Sequence, residues 1–228
     1  MTTSTATLPF NVARVAAAGR AWATDLRLGG SLLTIAGVTI LMGIITAEAL
    51  YPQAYTTGGS EISDLGGTRP PNSLIFQPSA MIFDLSMVAI GTLVIAGSWF
   101  VRRVFGRRSV TMPMTILGIG ALGVGLFPGN TGAPHQIFAM ITFIAGGVAA
   151  VSAARVTTAP FRFVSLLLGA VSLLTLISTL VLSDGSPMTA LGMGGIERWI
   201  VYPVILWVIA FGGYLSGRAD GDRTAGVT

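Results

Sequence analysis

Six long apolar runs constrain the fold of this chain more than any other feature of its sequence. Each run is roughly 20 residues long, and a helix of that length crosses the ~30 Å hydrocarbon core of a bilayer. The runs cover residues 28–49, 78–101, 110–127, 134–154, 161–182 and 198–215. They predict an all-α polytopic membrane protein built as a six-helix transmembrane bundle.

The composition agrees with this class and excludes several kinds of chemistry. Of the 228 residues, 52% are hydrophobic and 10% are charged, and the mean hydropathy is +0.78. Soluble domains carry about 25% charged residues. The chain has no cysteine, which excludes disulfides and thiolate chemistry. All 13 basic residues are arginine, so no lysine is present to form a Schiff base.

The arginines predict the orientation of the bundle. Only Arg69 and Arg198 fall on one side of the predicted spans. The others fall on the opposite side: Arg14, Arg20, Arg27, Arg102, Arg103, Arg107, Arg108, Arg155, Arg162, Arg218 and Arg223. Positive charge stays cytoplasmic during insertion, so we expect both termini in the cytoplasm of a bacterium or archaeon. The same asymmetry explains the pI near 10.3 without a nucleic-acid partner.

The predicted spans divide the chain into three parts. Residues 1–27 form a cytoplasmic N-terminal segment, either a weakly amphipathic helix along the inner membrane surface or a tail followed by a short pre-helix. Residues 28–215 form the transmembrane domain, and residues 216–228 form a disordered cytoplasmic tail. Ala47 and Ala49 mimic a signal-peptidase site, but the preceding apolar run is longer than a signal peptide requires, so we expect an uncleaved first helix.

Glycines are frequent within the spans. The third span contains "GIGALGVG", whose small residues permit neighbouring helices to approach closely. Such helices also permit a homo-oligomer. "GIGALG" formally matches a dinucleotide-binding fingerprint, but it lies in a membrane span with no preceding strand.

Most of the titratable groups fall on the predicted outer side. This set comprises six acids and the only histidine: Glu48, Glu61, Asp64, Asp84, Asp184, Glu197 and His135. Asp84 lies about 9 Å into the second span, where an unpaired carboxylate costs on the order of 2–3 kcal/mol. We therefore expect Asp84 to face the bundle interior and to find a partner on another helix. Asp84 and His135 are the candidate catalytic residues.

Five further residues are candidate ligand-binding groups: Glu48, Asp64, Asp184, Glu197 and Arg198. Structural roles compete with this interpretation, since Asp64 can be solvated, Asp184 can serve a turn and Glu197 can cap a helix. Arg198 is a natural counter-ion for Asp84, Glu48 or Asp184. No cofactor or metal is predicted, because a second histidine and the usual metal motifs are absent from the sequence; an all-oxygen calcium site stays open.

The segment "SEISDLGGTRPPNSLIF", residues 60–76, joins the first two spans on the predicted outer side. Its glycines and prolines favour a fixed turn. We hypothesise that it forms a lid or wall of a polar pocket that opens outward, with Asp64 reaching inward.

Several short motifs resemble the prokaryotic domain of unknown function 998 family: "EALYP", "ISDLG", "IFQPSAMIFD", "GVGLFPGNTGAPH" and "GGIERWIVYP". The resemblance runs from about residue 28 to 215. The loop and the start of the second helix, residues 62–83, are also similar to the DRAM and GPI-anchor-remodelling membrane proteins. That similarity implies a six-helix bundle that handles or senses lipids.

The sequence therefore favours a membrane protein that binds, and in one version modifies, a lipid or other amphipathic molecule in an outward-facing polar pocket. In the version with chemistry, Asp84 or His135 is the general base and Arg198 binds an anionic head group. Two alternatives stay open. One is a non-catalytic membrane scaffold, and the other is a proton-coupled transporter, against which the uncharged inner halves of the spans count.

Overall fold

The computed structural model describes residues 8–225, with side chains described for Arg14 and residues 17–221. Within residues 8–225 the chain is all-helical. The long helices are α1 Leu8–Ala49, α2 Ser79–Phe105, α3 Arg108–Leu126, α4 Ala133–Ala153, α5 Phe161–Leu182 and α6 Gly192–Ala225. Each of the six contains a stretch long and apolar enough to cross a membrane. The prediction of a polytopic six-helix protein is confirmed.

The helices form a closed ring in sequence order. Each helix packs against the next along the chain, and α1 packs against α6. Short connections join α2 to α3, α3 to α4, and α4 to α5, so those neighbours run antiparallel. We call the end that holds the 50–78 segment, the start of α4 and the start of α6 the loop end. The opposite end, where α1 begins and α6 finishes, is the termini end.

Both outer helices continue beyond the apolar runs, which differs from the predicted disordered tail. The first helix already begins at Leu8, and α6 extends to Ala225. Two ion pairs lie at this end: Arg27 pairs with Asp220 of α6, and Arg103 Nε lies 3.0 Å from Asp25 Oδ2. The rest of the predicted terminal segments, residues 1–7 and 226–228, lies outside the described residues.

Glycines let the helices cross at close range, as the sequence predicted. A Cβ added at Gly91 of α2 would lie 2.7 Å from the carbonyl oxygen of Gly118 in α3. A Cβ added at Gly212 of α6 would lie 2.5 Å from the carbonyl oxygen of Gly30 in α1. In both crossings the obstacle is backbone, so neither position accommodates a side chain without moving a helix.

The ring encloses an apolar core. Ile40, Val94, Trp207 and Phe211 are nearly fully buried there. A small cavity of about 50 Å³ lies between α1, α2, α3, α4 and α6, and its lining is apolar except for Thr142. Helix α5 contributes nothing to that lining and has the least buried span of the six.

Candidate functional site at the loop end

The 50–78 segment folds back onto the loop end of the bundle. Its 3₁₀ turn, Ile62–Leu65, buries Ile62, Ser63 and Leu65. The Tyr55 hydroxyl donates to the carbonyl oxygen of Glu61 at 2.7 Å. Burial raises the pKa of Tyr55, so this hydroxyl keeps its proton and its donor role. The segment is thus an ordered cap over the helix ends.

Arg198 ties this cap to α1 and α6. The side chain is buried, with 5% exposure. Its Nη1 donates to the carbonyl oxygens of Thr57, Ser60 and Gly194 at 2.8–3.0 Å. Its Nη2 donates to Glu48 Oε1 at 2.6 Å and to the Tyr55 hydroxyl at 3.2 Å. Among the three counter-ions that the sequence offered, the structure pairs Arg198 with Glu48.

Three acids organise the turn itself. Asp64 Oδ2 accepts the backbone N–H of Glu61 at 2.9 Å. Burial raises the pKa of Asp64, while this hydrogen bond and the charge of Arg69 oppose the shift. The Glu61 carboxylate accepts from Arg69 Nη2 through both oxygens, at 2.8 and 2.7 Å. Glu197 reaches across from α6 and accepts the backbone N–H of Ile62.

A cavity of about 340 Å³ lies beside this turn, between α4, α5 and α6. Its polar lining is close to the loop end: Glu61, Ser63, Arg69, His135, Gln136, Thr179 and Glu197. Its apolar lining includes Met140, Phe143, Leu176, Ile196 and Ile200. Phe143 follows His135 by eight residues, so the lining changes from polar to apolar over about 12 Å along α4.

His135 holds a fixed position in this lining. It is 4% exposed, and its Nδ1 lies 2.9 Å from the carbonyl oxygen of Phe127. A carbonyl oxygen only accepts hydrogen bonds, so Nδ1 carries the proton. In the neutral ring Nε2 is then a hydrogen-bond acceptor. His135 also lines a smaller cavity of about 50 Å³ that shares Ser63, Phe143 and Glu197 with the larger one.

Asp84 lies apart from the cavity. Its Oδ1 is buried and has no hydrogen-bond partner among the described residues. The carboxylate packs on the cap, since a Cβ added at Gly66 would lie 2.5 Å from Oδ1. Asp84 is absent from the lining of both cavities that contain His135. The structure therefore does not bring the two predicted catalytic residues into one cavity.

The remaining candidates divide between the cavity and its surroundings. His135 and Glu197 line the 340 Å³ cavity, whereas Glu48, Asp64, Asp184 and Arg198 do not. Asp184 is exposed in the 183–185 turn. Within the described residues there is no group of three His, Asp or Glu side chains that could hold a metal ion.

Sequence reasoning missed part of the lining. From the sequence, Arg69 was identified only as an outer charge. Ser63, Gln136 and Thr179 were not predicted to be site residues. The isolated position of Arg69 on the outer side was the signal that could have found it. The apolar lining residues carry no such signal, because they resemble every other residue of a span.

The fold and the cap define a class of six-span membrane protein whose first loop packs on the helix ends. A comparison with known families assigns the chain within that class. Residues 34–214 match the family described as "Protein of unknown function (DUF998)", and the chain belongs to this family. The resemblance based on short motifs is thereby confirmed, whereas the similarity to the DRAM and GPI-anchor-remodelling proteins finds no support.

A curated relative gives a short match. A stretch of 60 residues is 35% identical to the "Cyanate transport protein CynX" of Escherichia coli (strain K12). The stretch covers 26% of this chain and 16% of CynX. No solved structure matches the chain.

Proposed function

We propose that this protein binds a lipid or other amphipathic molecule in the 340 Å³ cavity beside the cap. One observation carries the proposal: a single cavity has polar groups at the loop end and apolar side chains further along α4, α5 and α6. An amphipathic molecule matches both parts of this lining. The helices that form the walls also face the bilayer, so such a ligand enters from the membrane without crossing water.

The arginine distribution supports an outward opening. Most arginines are at the termini end, which insertion keeps cytoplasmic. On this orientation the cavity opens towards the outer leaflet of a bacterial or archaeal cytoplasmic membrane. The ligand comes from that leaflet.

Two predicted roles change in this proposal. Arg198 stabilises the cap, because both of its terminal nitrogens already donate to Glu48, Tyr55 and backbone carbonyls. Asp84 supports the cap from α2 and does not touch the ligand. The ligand's polar head contacts His135 and Glu197, which line the cavity close to the loop end.

Binding is tested with radiolabelled oleylamine, oleyl alcohol and oleate on the protein in phosphatidylcholine nanodiscs. We expect saturable binding of at least one of the three. Thr179→Trp fills the cavity, so it should weaken that binding at least about tenfold, a change of about 1.4 kcal/mol.

Thr92→Trp is the matched control. Thr92 is an exposed threonine of α2, and its hydroxyl donates to the i−4 carbonyl at 2.9 Å, as the Thr179 hydroxyl does. Its substitution should leave binding unchanged. Equal effects of the two substitutions, or no saturable binding of any probe, would overturn the proposal.

A second candidate is transport of a small anion such as cyanate, which the stretch shared with CynX favours. The interior between the loop end and the termini end holds cavities of about 50 Å³, so a transport path requires the helices to separate. Uptake of labelled cyanate into proteoliposomes tests this candidate. Uptake above that of protein-free liposomes would support transport, and equal uptake would exclude it.

A further inference from the structure

The charges around the cavity are unequal. Three charged side chains line it: Glu61, Arg69 and Glu197. Arg69 is the only cation among them, and its Nη2 already contacts both carboxylate oxygens of Glu61. This pair is neutral as a unit. Glu197 has no ion-pair partner within residues 17–221, so the cavity has one unmatched acid.

The hydrogen-bonding groups of His135 and Glu197 also favour a ligand that donates. The Nδ1–H group of His135 donates to the carbonyl oxygen of Phe127, which leaves Nε2 as an acceptor. Glu197 accepts the N–H of Ile62 and also interacts with the backbone N–H of Ser63, and a carboxylate has acceptor sites for further donors. His135 and Glu197 also line the smaller adjoining cavity, so both flank the same space. These two residues thus offer acceptors to a ligand.

The geometry points to an amphipathic amine as the ligand, with its ammonium group bound between Glu197 and His135. An ammonium group has three donors and one positive charge, so it matches both acceptors and balances the unmatched acid. A carboxylate or sulfate head has no donor to offer and would face the unmatched carboxylate of Glu197. This assignment rests on the proposed function and names the ligand class for the same cavity.

Competition at neutral pH tests the assignment in the same nanodiscs. Unlabelled oleylamine, oleyl alcohol and oleate share one chain and differ in the head group. We expect oleylamine to displace labelled oleylamine at a concentration at least about tenfold lower than oleate does, with oleyl alcohol between them. Glu197→Gln keeps an acceptor for the Ile62 N–H and removes the charge, so it should abolish this difference.

Two substitutions of Gln136 provide a second test, which stays valid even if Glu197→Gln does not fold. This residue lines the cavity and is exposed, so it tolerates a larger charged side chain. Gln136→Arg should weaken oleylamine and strengthen oleate, and Gln136→Glu should do the opposite.

The outcomes separate the two levels of the proposal. Saturable binding with equal or stronger displacement by oleate would overturn the amine assignment and leave the binding function standing. An absence of saturable binding for every head group would overturn both.

Discussion

At the scale of single residues, Arg198 shows how a membrane protein uses a buried cation for structure. Its guanidinium has planar donors that satisfy Glu48 and several backbone carbonyls together. The carbonyls of Thr57, Ser60 and Gly194 belong to the cap and to the start of α6. One side chain therefore fixes the cap relative to the helix ends.

We predict that Arg198→Ala destabilises the protein by about 3 kcal/mol or more, because it leaves Glu48 and three backbone carbonyls without the guanidinium donor. Thermal unfolding in one detergent measures this. Arg69→Ala is the control, since the Arg69 side chain is 54% exposed and solvent screens its pair with Glu61. Its removal should cost less than that of Arg198, because water reaches the Arg69 guanidinium and this guanidinium binds no backbone carbonyl of the cap. Equal losses in the two variants would show that Arg198 contributes nothing beyond a surface ion pair.

Asp84 presents the opposite situation at the same scale. Its Oδ1 is buried against Gly66 without a hydrogen-bond partner among the described residues. A charge in such a place opposes folding. We predict that Asp84→Asn raises the midpoint of thermal unfolding, because it removes the charge and preserves the shape of the side chain.

Ser172→Ala is a useful comparison for Asp84→Asn. The Ser172 hydroxyl is also buried without a described partner but has no charge, so its removal should change the midpoint much less. A lower midpoint for Asp84→Asn would contradict the prediction and indicate that the carboxylate itself binds something.

At the scale of helices, backbone contact between glycines sets the distance between neighbours. At the α2–α3 crossing, a Cβ at Gly91 would lie 2.6 Å from the backbone nitrogen of Leu122 as well as 2.7 Å from the Gly118 carbonyl oxygen. A rotamer change cannot relieve a contact with backbone. The helices would have to separate.

We predict that Gly91→Ala lowers stability by about 1–3 kcal/mol, the usual cost of overpacking a tight interior. Gly213→Ala is the matched control on α6, since a Cβ there meets no atom within 4 Å. Alanine favours helix over glycine by about 1 kcal/mol, so the control should be neutral or slightly stabilising. The thermal unfolding midpoints of the two variants, measured in one detergent, test this prediction. If Gly91→Ala had the same unfolding midpoint as the control, the α2–α3 crossing would have room for a side chain, which would contradict the prediction.

At the scale of the whole molecule, the orientation in the membrane governs which solution the cap and the cavity meet. The natural chain has no cysteine, so a single introduced cysteine reports on one site without background. Ser73 lies exposed in the 50–78 segment, and Ser109 lies exposed at the start of α3 at the termini end.

We predict that a membrane-impermeant maleimide added to intact cells labels Ser73→Cys and leaves Ser109→Cys unlabelled. The positive-inside rule is the reason, because Arg102, Arg103, Arg107 and Arg108 surround Ser109. Permeabilised cells should show labelling of both variants. The reverse labelling pattern in intact cells would show that the bundle has the opposite orientation and that the cavity faces the cytoplasm.

Features that depend on local pattern could be predicted from the amino-acid sequence. Apolar runs of membrane-spanning length identified all six helices, and the boundaries of α5 agree at both ends. The glycines of "GIGALGVG" in the third span indicated a close helix crossing, and the order of the short motifs indicated the family. These features need no knowledge of which helix lies beside which, because lipid is the solvent for every span.

Which polar groups meet depends on how the helices and the 50–78 segment pack in three dimensions. The sequence placed Glu48, Asp84 and Asp184 at one end as possible partners of Arg198, and only the rotation of each helix about its axis selected Glu48. The path of the 50–78 segment put Arg69 beside the cavity, and the same packing kept Asp84 out of it. Apolar periodicity fixes the length of a span, whereas contacts a few ångströms wide depend on how all six helices pack together.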